Sequence, residues 1–162
     1  MRSFDAAMLL VRAAIGLVFL AHGVRHLRNR RKVMAWTSSI GFTAPRLQWA
    51  FMALGEVAVG AGMALGFLTA CAAAGVVALL AVAFWTVHRR AGFFVTARPD
   101  EGYEYVLVLG VSAVAAAVAG PGAWSIDHAL GIVLSGAAGA AACGAGVVAA
   151  VLQIVVFYRR VS

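Results

Sequence analysis

Apolar residues fall into five long runs, and charge, glycine and proline concentrate in the short segments between them. About 20 consecutive apolar residues are enough for a helix to cross a bilayer. The pattern predicts crossings at Phe4–Leu27, Leu47–Leu68, Ala70–His88, Tyr103–Ala119 and His128–Phe157. Between the first two, Val33, Trp36 and Ile40 share one face of a predicted amphipathic helix lying in the headgroup region, with Lys32 and Ser39 off that face. Gly41-Phe42-Thr43-Ala44-Pro45 breaks this helix, since the residue before proline disfavours the α region. The next two runs form a hairpin that turns near Gly66-Phe67-Leu68-Thr69, with Thr69 as the expected cap of the following helix. Arg89–Gly102 makes a longer connection of mixed charge, sufficient for a lid, and Gly120-Pro121-Gly122 ends the fourth run. In the last run Gly131, Ser135 and Gly139 recur every four residues beside a second series of Gly136, Ala140 and Gly144. Small faces of this kind let helices approach closely, within one bundle or between two copies.

Composition makes the bilayer the solvent. The 162-residue chain is 64% hydrophobic and only 12% charged, too little polar surface to cover a water-soluble globule. Its net charge of +7 does not point to nucleic acid, because the basic residues cluster at the ends of apolar runs. With five crossings, one side of the membrane holds Arg25, Arg28, Arg30, Arg31, Lys32, Arg46, Arg89, Arg90, Arg98, Arg159 and Arg160, 11 of the 13 basic residues. Arg2 and Arg12 remain on the other side, whereas four crossings would divide the charges 9 to 4. The positive-inside rule then predicts a plasma-membrane protein with its N-terminus outside and its C-terminus in the cytoplasm. Asp5 and Arg12 interrupt the first run, which argues against a cleaved signal peptide. Cys71 and Cys143 have no metal or redox spacing and read as packing residues.

Ionisable groups inside a span are costly and normally find partners in the bundle interior. Arg12 and Glu56 are the two that stand out, and their estimated depths, about 12 and 18 Å from the same surface at 1.5 Å per residue, predict a buried pair. Such a pair either sets helix register or floors a substrate pocket or proton path. At the opposite surface His22 and His26 share a helical face, His88 ends the third run, and Glu104 opens the fourth between Tyr103 and Tyr105. Convergence of these groups suits an interfacial cluster, a polar-ligand or quinone-head site, or a metal or haem site, and no metal is assigned. Dinucleotide, phosphate-loop, nucleophile-elbow and haem-attachment motifs do not occur. The chain therefore encodes no cofactor site of its own, and a redox role would draw on a partner or a lipid-soluble carrier such as a quinone.

Leu10-Val11-Arg12, Gly16 and Ala21-His22-Gly23 resemble the first-helix signature of the DoxX family of small bacterial membrane proteins. The likeness continues through Gly41–Pro45, Glu56 with the glycine-rich Gly60–Thr69, Gly92-Phe93-Phe94, Gly102-Tyr103-Glu104-Tyr105 and Gly120-Pro121-Gly122 with Ser125 and Asp127, over roughly residues 7 to 130. The resemblance implies a four-helix transmembrane bundle and points to Arg12, His22, Glu56 and Glu104. Some members of the family are associated with thiosulfate:quinone oxidoreductase or with membrane complexes handling oxidative and thiol stress. Two features depart from it: His26 stands where lysine is usual, and the chain continues past Gly131. The expected architecture is thus all-α, a four-helix core over residues 1–130 with an additional transmembrane helix and basic tail over 131–162. Its leading functional reading is a subunit of a quinone-linked or oxidative and thiol-stress redox system, binding an amphipathic small molecule through Arg12, His22, Glu56, His88, Tyr103 and Glu104. The alternatives are a carrier or exporter of a small hydrophobic compound, and a scaffold for a protein partner. Expected partners are membrane lipid and either another protein or further copies of the chain, with no nucleic acid.

Overall fold

A computed structural model describes residues 2–99 and 101–159. The described residues form seven α-helices and one 3-10 turn: α1 Arg2–Arg28, α2 Arg30–Ser39, α3 Pro45–Leu65, α4 Thr69–Thr86, the turn His88–Arg90, α5 Glu104–Ala119, α6 Ile126–Leu130 and α7 Gly136–Phe157. Four of them, α1, α3, α4 and α7, are long and apolar enough to cross a membrane. With 16 residues, α5 is a shorter apolar helix of about 24 Å at 1.5 Å per residue. Large side chains such as Leu10, Val108 and Val155 are more than half exposed on the outside of the bundle, where lipid is the solvent. Arg159 is the last described residue, so Arg160 and the C-terminal end fall outside the description.

Local chemistry explains the helix ends. Asp5 lies in the first turn of α1 and Arg25, His26 and Arg28 in its last, each complementing the helix dipole. Pro45 opens α3, where its missing N–H costs nothing, and Gly66 closes it in the left-handed conformation at φ 65°. The hairpin turn falls where expected, but its cap differs. Leu68, not Thr69, occupies the N-cap of α4, and the carboxylate of Asp127 accepts from the Leu68 and Thr69 N–H groups at 2.6 and 2.7 Å. That carboxylate arrives from α6, so a distant acid does the work expected of the local hydroxyl.

Close backbone approach sets the packing, as expected in lipid, where burial of apolar surface no longer drives helices together. A Cβ on Gly16 would lie 2.7 Å from the Gly60 carbonyl oxygen and the Ala64 nitrogen, and one on Gly23 would crowd Val57 and Ala53. These notches fix the antiparallel register of α1 on α3. Interior positions of α4, α5 and α7 are mostly small, with Ala73, Ala113, Ala116, Ala117 and Cys143 buried around Ile15, Phe19, Met63 and Val76.

The last apolar run is not one helix from His128. After α6 the chain leaves helical geometry at Gly131, at φ 71°, and resumes at Gly136. Gly131 and Ser135 therefore never join the small face, which consists of Gly139, Cys143, Gly146 and Ala150. That stripe seats α7 against its own bundle: a Cβ on Gly139 or Gly146 would collide with the carbonyl of Ala117 or Ala74. The second series stays outside, since Ala140 and Gly144 are exposed. At its far end α7 is tied to the segment before α3. Thr43 N–H donates to the Phe157 carbonyl at 2.8 Å, Arg159 N–H donates to Gly41 at 2.8 Å, and the Phe42 and Tyr158 rings meet edge to face.

The amphipathic helix α2 packs on α3 through Val33 and Thr37, which are buried, while Trp36 is 42% exposed. The side that meets α3 carries Val33 and Thr37, and Trp36, Thr37 and Ile40 border one cavity. Two successive buried positions four residues apart follow the side of the helix that meets α3.

A candidate ligand site at Glu56

Glu56 is 8% exposed on α3, near the end of the bundle where α1 and α4 finish and α5 begins. Its partner is His26, in the last turn of α1: Nδ1 and Oε2 lie 2.6 Å apart in one hydrogen bond. The backbone under His26 is held as well, because Trp49 Nε1 donates to the His26 carbonyl at 3.0 Å and the Arg30 guanidinium covers the Trp49 ring. Position 26, read from the sequence as a departure from the resemblance, therefore supplies the group that answers the buried carboxylate.

The expected pair of Arg12 with Glu56 does not form. Arg12 is fully buried, and its guanidinium donates to the carbonyls of Trp124 at 2.6 Å and Met63 at 3.4 Å. Register explains the difference. Matching helix ends would bring the two groups level, but the glycine notches slide α1 past α3, so that Arg12 lies beside Gly66 and Glu56 beside the Gly23 level. Those levels are about 15 Å apart along the helix.

Two cavities flank Glu56, and both also touch Leu79 and Ala83 of α4. One, of about 110 Å³, is bounded by His22, Phe19 and Tyr105. The other, of about 80 Å³, lies under α2 and is bounded by Trp36, Thr37, Gln48 and Gln153. Leu80 borders the first cavity and also a larger apolar groove between α4 and α5, of about 660 Å³.

The His22, His26, His88 and Glu104 set expected from the sequence is divided. His22 and His26 remain neighbours, with ring centroids 6.2 Å apart. His88 instead lies between Glu101 and Tyr105: its Nδ1 meets the Glu101 carbonyl at 2.6 Å and its Nε2 meets the Tyr105 hydroxyl at 2.7 Å. A carbonyl only accepts, so Nδ1 carries the proton and Nε2 accepts from Tyr105. This chain of groups runs from the exposed Glu101 to the wall of the 110 Å³ cavity. Glu104 is drawn away into the connection before α5, accepting from Val95 N–H at 3.1 Å. That connection folds back on α5, with Tyr103 and Glu104 N–H donating to the Gly92 and Phe93 carbonyls. Tyr103 packs edge to face on Phe84 and Phe93 and borders the apolar groove, apart from Glu56. Among the described residues, no group of three or more His, Cys, Asp or Glu side chains is placed to hold a metal ion.

Sequence reasoning passed over Gln48, Gln153, Thr37 and the particular role of Tyr105. Neutral amides and hydroxyls within apolar runs carry little cost in a hydropathy pattern, so only the packing reveals them. Gln48 and Gln153 carried a weak signal, as amides inside runs destined for the membrane, the first standing second in its run and the second near the end of the last one.

Comparison with known proteins gives one match. The sequence model of the DoxX family matches residues 7–89, just over half of the chain. That stretch ends beside the turn after α4, so the likeness drawn through Tyr105 and Gly122 runs past it. No curated protein and no solved structure matches the chain.

Proposed function

The chain belongs to the DoxX family, and from that premise we propose that it binds the polar head of an amphipathic small molecule of the quinone class, as the membrane subunit of a redox system. The observation that carries this reading is Glu56, a buried carboxylate answered by His26 and exposed to a cavity on either side. A buried ionisable group is expensive in a membrane interior and is typically retained for a ligand or proton route. Tyr105 and His88 support this reading: the Tyr105 hydroxyl at the cavity wall is placed to pass its proton to His88 Nε2, whose Nδ1–H is anchored on the Glu101 backbone carbonyl. Electrons come from a partner protein in this reading, because the chain carries no cofactor motif of its own. The carrier alternative is weakened by Arg12, which is spent on the carbonyls of Met63 and Trp124 and does not line a path to Glu56.

In this reading the protein resides in the plasma membrane with α2 and the basic loops in the cytoplasm and the N-terminus outside. The basic residues from Arg25 to Arg46, with Arg89, Arg90, Arg98 and Arg159, gather at the Glu56 end of the bundle and support that orientation.

The test is gentle purification from membranes, followed by mass spectrometry of co-purifying lipids, quinones and proteins. A quinone near one per chain is expected, with Glu56→Gln losing at least about nine-tenths of it, in line with removal of a hydrogen bond to a charged group. A stoichiometric protein partner without any small molecule would overturn the reading in favour of a scaffold.

A further inference from the structure

Gln48 stands out among the polar groups that the Glu56–His26 pair does not use. It is 1% exposed, it borders the 80 Å³ cavity, and its Nε2 has no hydrogen-bond partner, while its Oε1 accepts from Gln153 Nε2 at 2.8 Å. A buried amide donor normally finds an acceptor, and an unanswered one beside a cavity marks the position of a missing acceptor. Gln153 belongs to α7, beyond the matched family region, and is brought here by the bonds between the Gly41–Thr43 segment and the end of α7.

We propose that the Gln48–Gln153 pair is a carbonyl-recognition subsite. Gln48 Nε2 donates to a ketone or quinone oxygen of a neutral ligand, and Gln153, by occupying Gln48 Oε1, holds the amide with its donor free. The proposal rests on the reading of Glu56 as a ligand site and deepens it. Glu56 borders the same cavity, so a ring that offers a carbonyl oxygen at one end meets the amide donor there, and a far oxygen that carries a proton, as in the reduced hydroquinone, donates to the carboxylate. Both the amide and the length of α7 that carries its partner become determinants of which head group is accepted. An acid or phosphate is disfavoured, because its charge would enter a buried cavity beside the Glu56 carboxylate.

The test uses menadione and its carbonyl-free counterpart, 2-methylnaphthalene, with the full chain in lipid nanodiscs. Binding is read by quenching of tryptophan fluorescence, since Trp36 borders the cavity. The expected result is that Gln48→Met weakens menadione about tenfold, the worth of one buried hydrogen bond, and leaves 2-methylnaphthalene unchanged. Gln153→Met, which frees the Gln48 amide to turn, weakens menadione about threefold, a fraction of that hydrogen bond. It serves as the second variant if Gln48→Met does not fold. Gln48→Glu, which exchanges donor for acceptor, also lowers menadione affinity. Unchanged menadione affinity in Gln48→Met, or tighter binding in Gln48→Glu, sinks the subsite while leaving the Glu56 reading intact. A wild-type protein that takes no menadione sinks both, and leaves the cavity to water.

Discussion

At the residue scale, the buried polar groups divide by what they answer. Arg12 and Asp127 close the end of the bundle opposite Glu56: Arg12 satisfies two backbone carbonyls, and Asp127 caps α4 through two backbone N–H groups. Replacing Asp127 with Ala should cost about 2 kcal/mol, as a charged cap with two buried donors left behind. Arg12→Met should cost about 3 kcal/mol by leaving buried carbonyls unanswered. Both are measured as lowered unfolding midpoints in detergent, and menadione affinity in the fraction still folded should match wild type. A loss of affinity in Arg12→Met with its midpoint intact would return Arg12 to the ligand site. His26→Leu should do the reverse of Arg12→Met, abolishing ligand binding by removing the only hydrogen-bond partner found for Glu56 among the described residues. The importance of Arg12 and Glu56 was legible in the sequence, because charge inside an apolar run is conspicuous. Their separation was not, because it depends on how far one helix slides along the other.

At the element scale, glycine decides which helix faces meet. Gly60 lies against α1, and Gly146 lies against the Ala74 carbonyl of α4, whereas Gly144 on the same helix as Gly146 has open space around it. Gly60→Leu and Gly146→Leu should therefore abolish or greatly lower yield of the folded protein, by forcing apart backbones that now touch. Gly144→Leu should change stability by no more than about 0.5 kcal/mol, as expected for a surface position away from contacts. Detergent exclusion chromatography with thermal unfolding compares all three. The four-residue spacing of small residues in the last run was visible in the sequence, but two such series overlapped there, and spacing alone does not say which one faces inward. The break at Gly131–Ser135 was hidden for a related reason: an uninterrupted apolar run reads as one helix until the chain has to reach a particular place on the bundle.

At the scale of the whole molecule, the four long apolar helices and the shorter α5 alternate direction in chain order, so that the ends bearing Arg28, Arg46, Arg89 and Arg98 lie together. The proposed orientation, with a cytoplasmic C-terminus, draws on that clustering. A reporter fused there should read as internal, and one fused to the N-terminus as external; the opposite pair of results would invert the orientation and place Glu56 near the outer face. The sequence by itself determined that the chain belongs in a membrane, where its apolar runs lie, and that buried charge would matter, because each follows from the transfer cost of residues taken along a single chain. Only the tertiary structure decided that His26 and not Arg12 answers Glu56, that Asp127 caps α4, and that Gln153 reaches Gln48 from the far end of the chain. Those are relations between helices, set by where glycine lets two backbones touch, and no property of one helix contains them.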